Sequence, residues 1–224
     1  MSLTRRYDEA QRGLLVLPVW KLGTGLSREG SARRVLAGLP IALSARIVVH
    51  TIAGELTAAD HVIEELLTLS DVMRIPMQLN GRLVMAAWRG RQEEASALID
   101  AAASELEPRG EGGALAVADY ARAVLANGLG RYSEALTAAA AIDAFDVDGF
   151  TIYAQGLSEL IEAAARAGAA ERAADALRRL AEMTQASGTD WGAGVRARAE
   201  ALLSADDAAP SWRLLLLGCE PACR

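Results

Sequence analysis

The stretch Gly130-Arg131-Tyr132-Ser133-Glu134-Ala135-Leu136 decides how this chain is read. It lies between two apolar helical runs, so its glycine marks a turn and its alanine falls one turn into the returning helix. The same interval recurs from Gly54 to Ala59, Gly90 to Ala95 and Gly168 to Ala173. Successive glycines stand 36, 40 and 38 residues apart. A near-constant period of this length, with one turn glycine per copy, marks stacked helical hairpins. The residue just past a helix C-terminus often adopts a left-handed conformation, which glycine reaches without steric cost. An alanine one turn into the return helix lets the two helices of a pair cross closely. A larger side chain would overpack that crossing, at a cost of about 1–3 kcal/mol. Tyr132 adds an aromatic lid in this copy alone.

Outward from these turns the chain divides into an N-terminal helical segment, 1–38, a helical repeat domain, 39–204, and an atypical tail, 205–224. Pro40 suits the first turn of a helix running Ile41 to Ala53, and Thr57 to Leu69 return after Gly54. The second hairpin opens near Pro76, with Leu79, Leu83, Val84 and Ala87 on one face and Glu94 to Glu105 as its return. Pro108 to Gly113, one proline and three glycines, reads as the clearest linker and a mobile loop. The third hairpin runs Ala114 to Leu129 and Ser133 to Ile142. The fourth follows Gly149, with Leu157, Leu160, Ile161 and Ala164 inward, and returns from Glu171 to Gln185. Ser187-Gly188-Thr189-Asp190 stops that helix and caps the next, Trp191 to Leu203, which has no return partner. Its stripe of Val195, Ala199, Leu202 and Leu203 would face outward and need a cover. Either the apolar tail 212–217 folds over it or a second copy covers it, giving self-association through the C-terminal end.

Composition agrees with an all-α chain. Hydrophobic residues are 52% and charged ones 23%, which excludes a disordered chain, and aromatics at 4% leave alanine, the best helix former, dominant. The net charge of -6 argues against direct nucleic-acid binding, which needs a basic stripe. Arg172, Arg178 and Arg179 are interleaved with Glu171, Asp175 and Glu182, as on a solvated helix face. The two cysteines, Cys219 and Cys223, both lie in the tail, so a disulfide framework is not expected and a reducing, cytoplasmic setting is. Arg5-Arg6 is followed by Tyr7-Asp8-Glu9, wrong for a secretion signal, and the run Leu214 to Leu217 is far too short to span a bilayer.

These residues resemble tetratricopeptide repeats, whose turn region carries glycine, an aromatic residue and alanine at these offsets. Gly130, Tyr132 and Ala135 match well, the other copies in part, and the steps exceed the 34-residue repeat of that family. TPR-like is therefore the better label. Five further strings occur in order: Leu39-Pro40-Ile41-Ala42-Leu43, Ala86-Ala87-Trp88-Arg89-Gly90-Arg91, Asn127-Gly128-Leu129-Gly130-Arg131-Tyr132, Glu159-Leu160-Ile161-Glu162-Ala163-Ala164-Ala165-Arg166 and Ala186-Ser187-Gly188-Thr189-Asp190-Trp191. They resemble the helical-repeat region of large LuxR-type, ATP-dependent transcriptional regulators, over roughly Leu36 to Ser204. Such regulators flank this region with a nucleotide-binding module and a DNA-binding helix-turn-helix. Neither is matched in this sequence: Gly23-Thr24-Gly25 lacks the lysine a phosphate-binding loop needs. The abrupt change of composition from Pro210 to Cys219 reads as a shifted reading frame or a gene remnant, with a natural short cap as the alternative.

No constellation of residues points to chemistry. His50 and His61 have Gly54 between them and only Glu64 and Glu65 nearby, and Cys219 and Cys223 have no further ligands close in sequence. A Gly-x-Ser-x-Gly string does not occur. Trp88, Trp191 and Trp212 are read as packing residues rather than a ligand groove. The expectation is a non-enzymatic α-solenoid without cofactor or metal, whose concave surface holds a peptide, a protein partner or an inducer. The alternative is a small-molecule sensor with its pocket between the Pro108–Gly113 segment and the fourth hairpin. The singled-out residues are structural: Gly54, Ala59, Gly90, Ala95, Gly130, Tyr132, Ala135, Gly168 and Ala173.

Overall fold

A computed structural model describes residues 39, 42–73, 80–110, 112–144 and 151–204. The N-terminal segment 1–38, the tail 205–224, both cysteines and Trp212 lie outside the described residues. Among the described residues all regular structure is helical. Residues 42–52 form α1, and Leu56–Met73 form α2. Then come α3 (Asn80–Trp88), α4 (Gln92–Leu106), α5 (Gly112–Gly128), α6 (Tyr132–Ala144), α7 (Thr151–Arg166), α8 (Ala170–Ser187) and α9 (Asp190–Leu203).

The turn at Gly130 shows why the chain reverses there. Its φ of +72° lies in the left-handed region. The Gly130 N–H donates to the Asn127 carbonyl at 3.0 Å and the Arg131 N–H to the Ala126 carbonyl at 2.8 Å. This Schellman pair satisfies carbonyls that the end of α5 would otherwise leave orphaned. The same two bonds recur at Gly54–Glu55 and Gly168–Ala169. Gly90, at φ +65°, repeats the first of them by donating to the Ala87 carbonyl. The return helices begin with acidic residues, Glu93 and Glu94, Glu134 and Glu171, which favour the positive end of the helix dipole. At the last junction Gly188 ends α8 at φ +60°, and Thr189 Oγ1 caps α9 by accepting from the Gly192 N–H.

Two layers result. The first helices, α3, α5, α7 and α9, pack on one another in succession. Each second helix, α4, α6 and α8, packs on its own partner and on the first helix of the next hairpin. At the start of the stack Leu43 and Ile47 of α1 meet Ala59, Val62 and Leu66 of α2 and Met85 of α3. Gly81 permits this, since a Cβ there would come within 2.7 Å of the Ile47 Cβ.

Two expectations are corrected. Pro108 to Gly113 is not irregular throughout: Glu107–Arg109 form a 3-10 turn, Gly110 turns at φ +65°, and α5 already begins at Gly112. Proline fits the first positions of a helical turn, where its missing N–H costs nothing. Nor does the last helix turn its apolar stripe outward. Ala199 is buried with Leu157, Leu160 and Ile161 of α7 and Leu180 of α8, and Val195 and Leu203 pack on the same cluster. Among the described residues, the large apolar side chain exposed at this end is Trp191.

Candidate functional site

The residues singled out from the repeat occupy the turns and buried positions on the return helices. Gly54, Gly90, Gly130 and Gly168 all have positive φ, and Ala59, Ala95, Ala135 and Ala173 are each 0% exposed. Ala135 of α6 lies against Ala126 of α5 and Ala163 of α7, so three helices meet on three methyl groups. Tyr132 is half-buried, and the Arg166 guanidinium at the end of α7 sits 5.4 Å from its ring centroid, a cation–π contact between hairpins. His50 Nδ1 and Glu55 Oε2 lie 2.8 Å apart, while His61 is exposed on α2. Among the described residues no group of three or more His, Cys, Asp or Glu side chains is placed to hold a metal ion.

The feature with chemical content is a polar seam along the first helices. On α7, Gln155, Ser158, Glu159 and Glu162 recur at helical spacing and so share a face. Asn127, in the last turn of α5, donates through Nδ2 to the Glu159 main-chain carbonyl at 3.1 Å and to Glu159 Oε2 at 2.9 Å. From the other side Arg198 of α9 donates to Ser158 Oγ at 3.1 Å and pairs with Glu162, which also holds Arg166. Two turns before Asn127, the buried Tyr120 hydroxyl accepts from Trp88 Nε1 of α3 at 3.3 Å. All four first helices from α3 onward thus contribute.

Its electrostatics are set by burial. Glu159 is 9% exposed, and loss of water raises its carboxyl above the ordinary value of 4.5, against the Asn127 hydrogen bond and the Arg198 charge, which pull it down. The Tyr120 phenol is pushed further up from 10, first by burial and then by the Glu159 charge, so it stays protonated and available as a donor. Gln155 is 5% exposed, and among the described residues neither its Nε2 nor its Oε1 has a hydrogen-bond partner, nor has Asn127 Oδ1. Leaving such a group buried and unpaired costs about 1–3 kcal/mol. An apolar side chain of similar size would avoid that penalty.

The sequence reading found the apolar face of α7, with Leu157, Leu160, Ile161 and Ala164, and missed the polar face beside it. Its signal was present in the register: Gln155 and Glu159 are four apart and flank the same apolar positions. Trp88, read as packing, is exposed over its ring while its Nε1 is engaged. No described helix is long and apolar enough to cross a membrane. No protein-family model, no curated protein and no solved structure matches this chain.

Proposed function

We infer that this chain is a TPR-like α-solenoid of antiparallel hairpins that acts as a non-enzymatic interaction module. In that role it would correspond to the central region of the LuxR-type regulators whose strings it resembles. The observation that carries this reading is the contact pattern. First helices touch first helices along the stack, and second helices bridge successive hairpins. Such an arrangement leaves the first-helix layer as a continuous surface, the usual place for a partner on a stacked-hairpin protein. On that layer stand the exposed indole of Trp88 and the partly exposed Arg198 and Ser158. The occupant this favours is a protein or peptide. With most of the stripe of α9 packed inward, self-association through the C-terminal end has the exposed Trp191 in its favour among the described residues and is the weaker proposal.

The test uses a photo-crosslinking amino acid placed at Trp88, on the first-helix layer, or at Glu182, exposed on α8. Partner adducts from Trp88 and not from Glu182 support the reading. Equal labelling from both faces, or none from either, overturns it. The same chain should neither bind ATP nor retard duplex DNA at physiological salt. A DNA affinity with a steep salt slope would contradict the reading, because that slope counts phosphate contacts.

A further inference from the structure

We propose that the polar seam of α5 and α7 is a binding site for an arginine side chain of a protein or peptide partner, with the Glu159 carboxylate and the Asn127 amide oxygen as its acceptors. Such a site rests on the interaction-module reading and names what the partner brings. Glu159 is a buried carboxyl with no cation of its own. Its hydrogen-bond partner is the neutral Asn127 amide, which meets Oε2 and leaves Oε1 without a donor among the described residues. The Arg198 guanidinium acts on Glu159 only through space, because its nitrogens are held by Ser158 Oγ and Glu162. Arg166 is likewise held by Glu162 and lies over the Tyr132 ring.

The neighbouring amides point to the same kind of occupant. Asn127 is 8% exposed, and its Oδ1 has no partner among the described residues. Its orientation is fixed, because Nδ2 also donates to the Glu159 main-chain carbonyl at 3.1 Å, where an oxygen would face another acceptor. One helical turn before Glu159, the Gln155 Oε1 is unpartnered as well. Glu159 Oε1, Asn127 Oδ1 and Gln155 Oε1 therefore await donors, against the single unfilled donor group Gln155 Nε2. A guanidinium fits this set: it is planar, carries its donors in a fork, sheds water more readily than an ammonium and stays charged when buried. There is also a way in. A Cβ at Gly128, next to Asn127 at the end of α5, would meet nothing within 4 Å, and the following Leu129 is exposed. The net charge of -6 draws cations toward the chain.

The test titrates the isotope-labelled full chain with N-acetylarginine amide and with its neutral isostere N-acetylcitrulline amide, followed by NMR. The arginine probe should shift the signals of Asn127, Gln155 and Glu159 saturably. The citrulline probe, which keeps the shape without the charge, should bind about tenfold more weakly or worse. Glu159→Gln should weaken the arginine probe by a similar factor, and Glu182→Gln, exposed on α8, should leave it unchanged. The comparison of the two probes needs no variant, so it decides the matter even if Glu159→Gln does not fold. Equal binding of both probes, or full affinity in Glu159→Gln, would overturn the site. No shift at the seam while Trp88 still yields partner adducts would overturn it too, and leave the interaction reading standing. Seam shifts without any adduct from Trp88 would support the arginine site and overturn that reading instead.

Discussion

The contact of α3 with α5 and the contact of α5 with α7 occupy equivalent places in successive hairpins, yet a buried carboxyl, Glu159, enters the second. In the first, Leu83, Ala86 and Ala87 of α3 meet Ala118, Ala121 and Leu125 of α5, and Val84 meets Val117 and Tyr120. In the second, Ala123 of α5 clusters with Leu157, Leu160 and Ile161 of α7 and Ala126 with Ala163, while Asn127 hydrogen-bonds the buried Glu159. The turn geometry at Gly130 and Gly168 is the same, so the backbone does not make the difference. The repeat sets which helices touch, and the side chains at each touch decide whether it serves stability or something else. Polar groups that lower the stability of a packed seam are retained where a protein has another use for them.

The largest effect should come from forcing the crossing of α5, α6 and α7 beside the second contact. Ala135→Glu puts a charge among Ala126 and Ala163, at a 0% exposed site, and should cost on the order of 3–5 kcal/mol in urea denaturation. An unchanged denaturation midpoint would show that the crossing is not closely packed. Next, Leu83→Ala in the apolar contact should cost about 2–5 kcal/mol, the range for a large buried side chain cut to alanine. A loss well under 1 kcal/mol there would erase the contrast between the two contacts. Gly130→Ala keeps every contact but strains a backbone at φ +72°, so about 1–2 kcal/mol is expected from denaturant unfolding.

The turns were legible in the sequence because each is marked by residue type alone. A left-handed φ asks for glycine and a methyl-wide crossing asks for alanine, whatever surrounds them. The segment Pro108–Gly113 looks like a linker in the sequence because proline and glycine usually interrupt helices. Pro108 instead starts a 3-10 turn, and Gly112 and Gly113 belong to the first turn of α5. The stripe on α9 was misplaced by phase, since a terminal helix still packs on two neighbours and Ala199 turns toward both. The polar seam was hidden for a related reason. A helix in a two-layer stack has neighbours on several sides, and α7 shows leucines to one and Gln155 and Glu159 to another. Periodicity within a single helix reports its strongest apolar face and is silent about the others.

Smaller effects separate the contacts by their response to pH. In the wild type, the stability that protonated Glu159 contributes is present below 4.5 and lost as pH rises through its raised value. Glu159→Gln should remove that part of the stability profile, read as the denaturation midpoint from pH 4.5 to 8. A profile identical in shape to the wild type would place the titration elsewhere.

The central claim is that the α5–α7 seam sacrifices stability, and one melting curve tests it. Gln155→Leu replaces a buried amide that has no partner among the described residues with an apolar group of similar size. The account predicts a gain of about 1 kcal/mol, seen as a Tm raised by about 2–4 °C at neutral pH. A Tm lowered by as much would show that the Gln155 amide is satisfied in solution and that the seam is an ordinary packed contact.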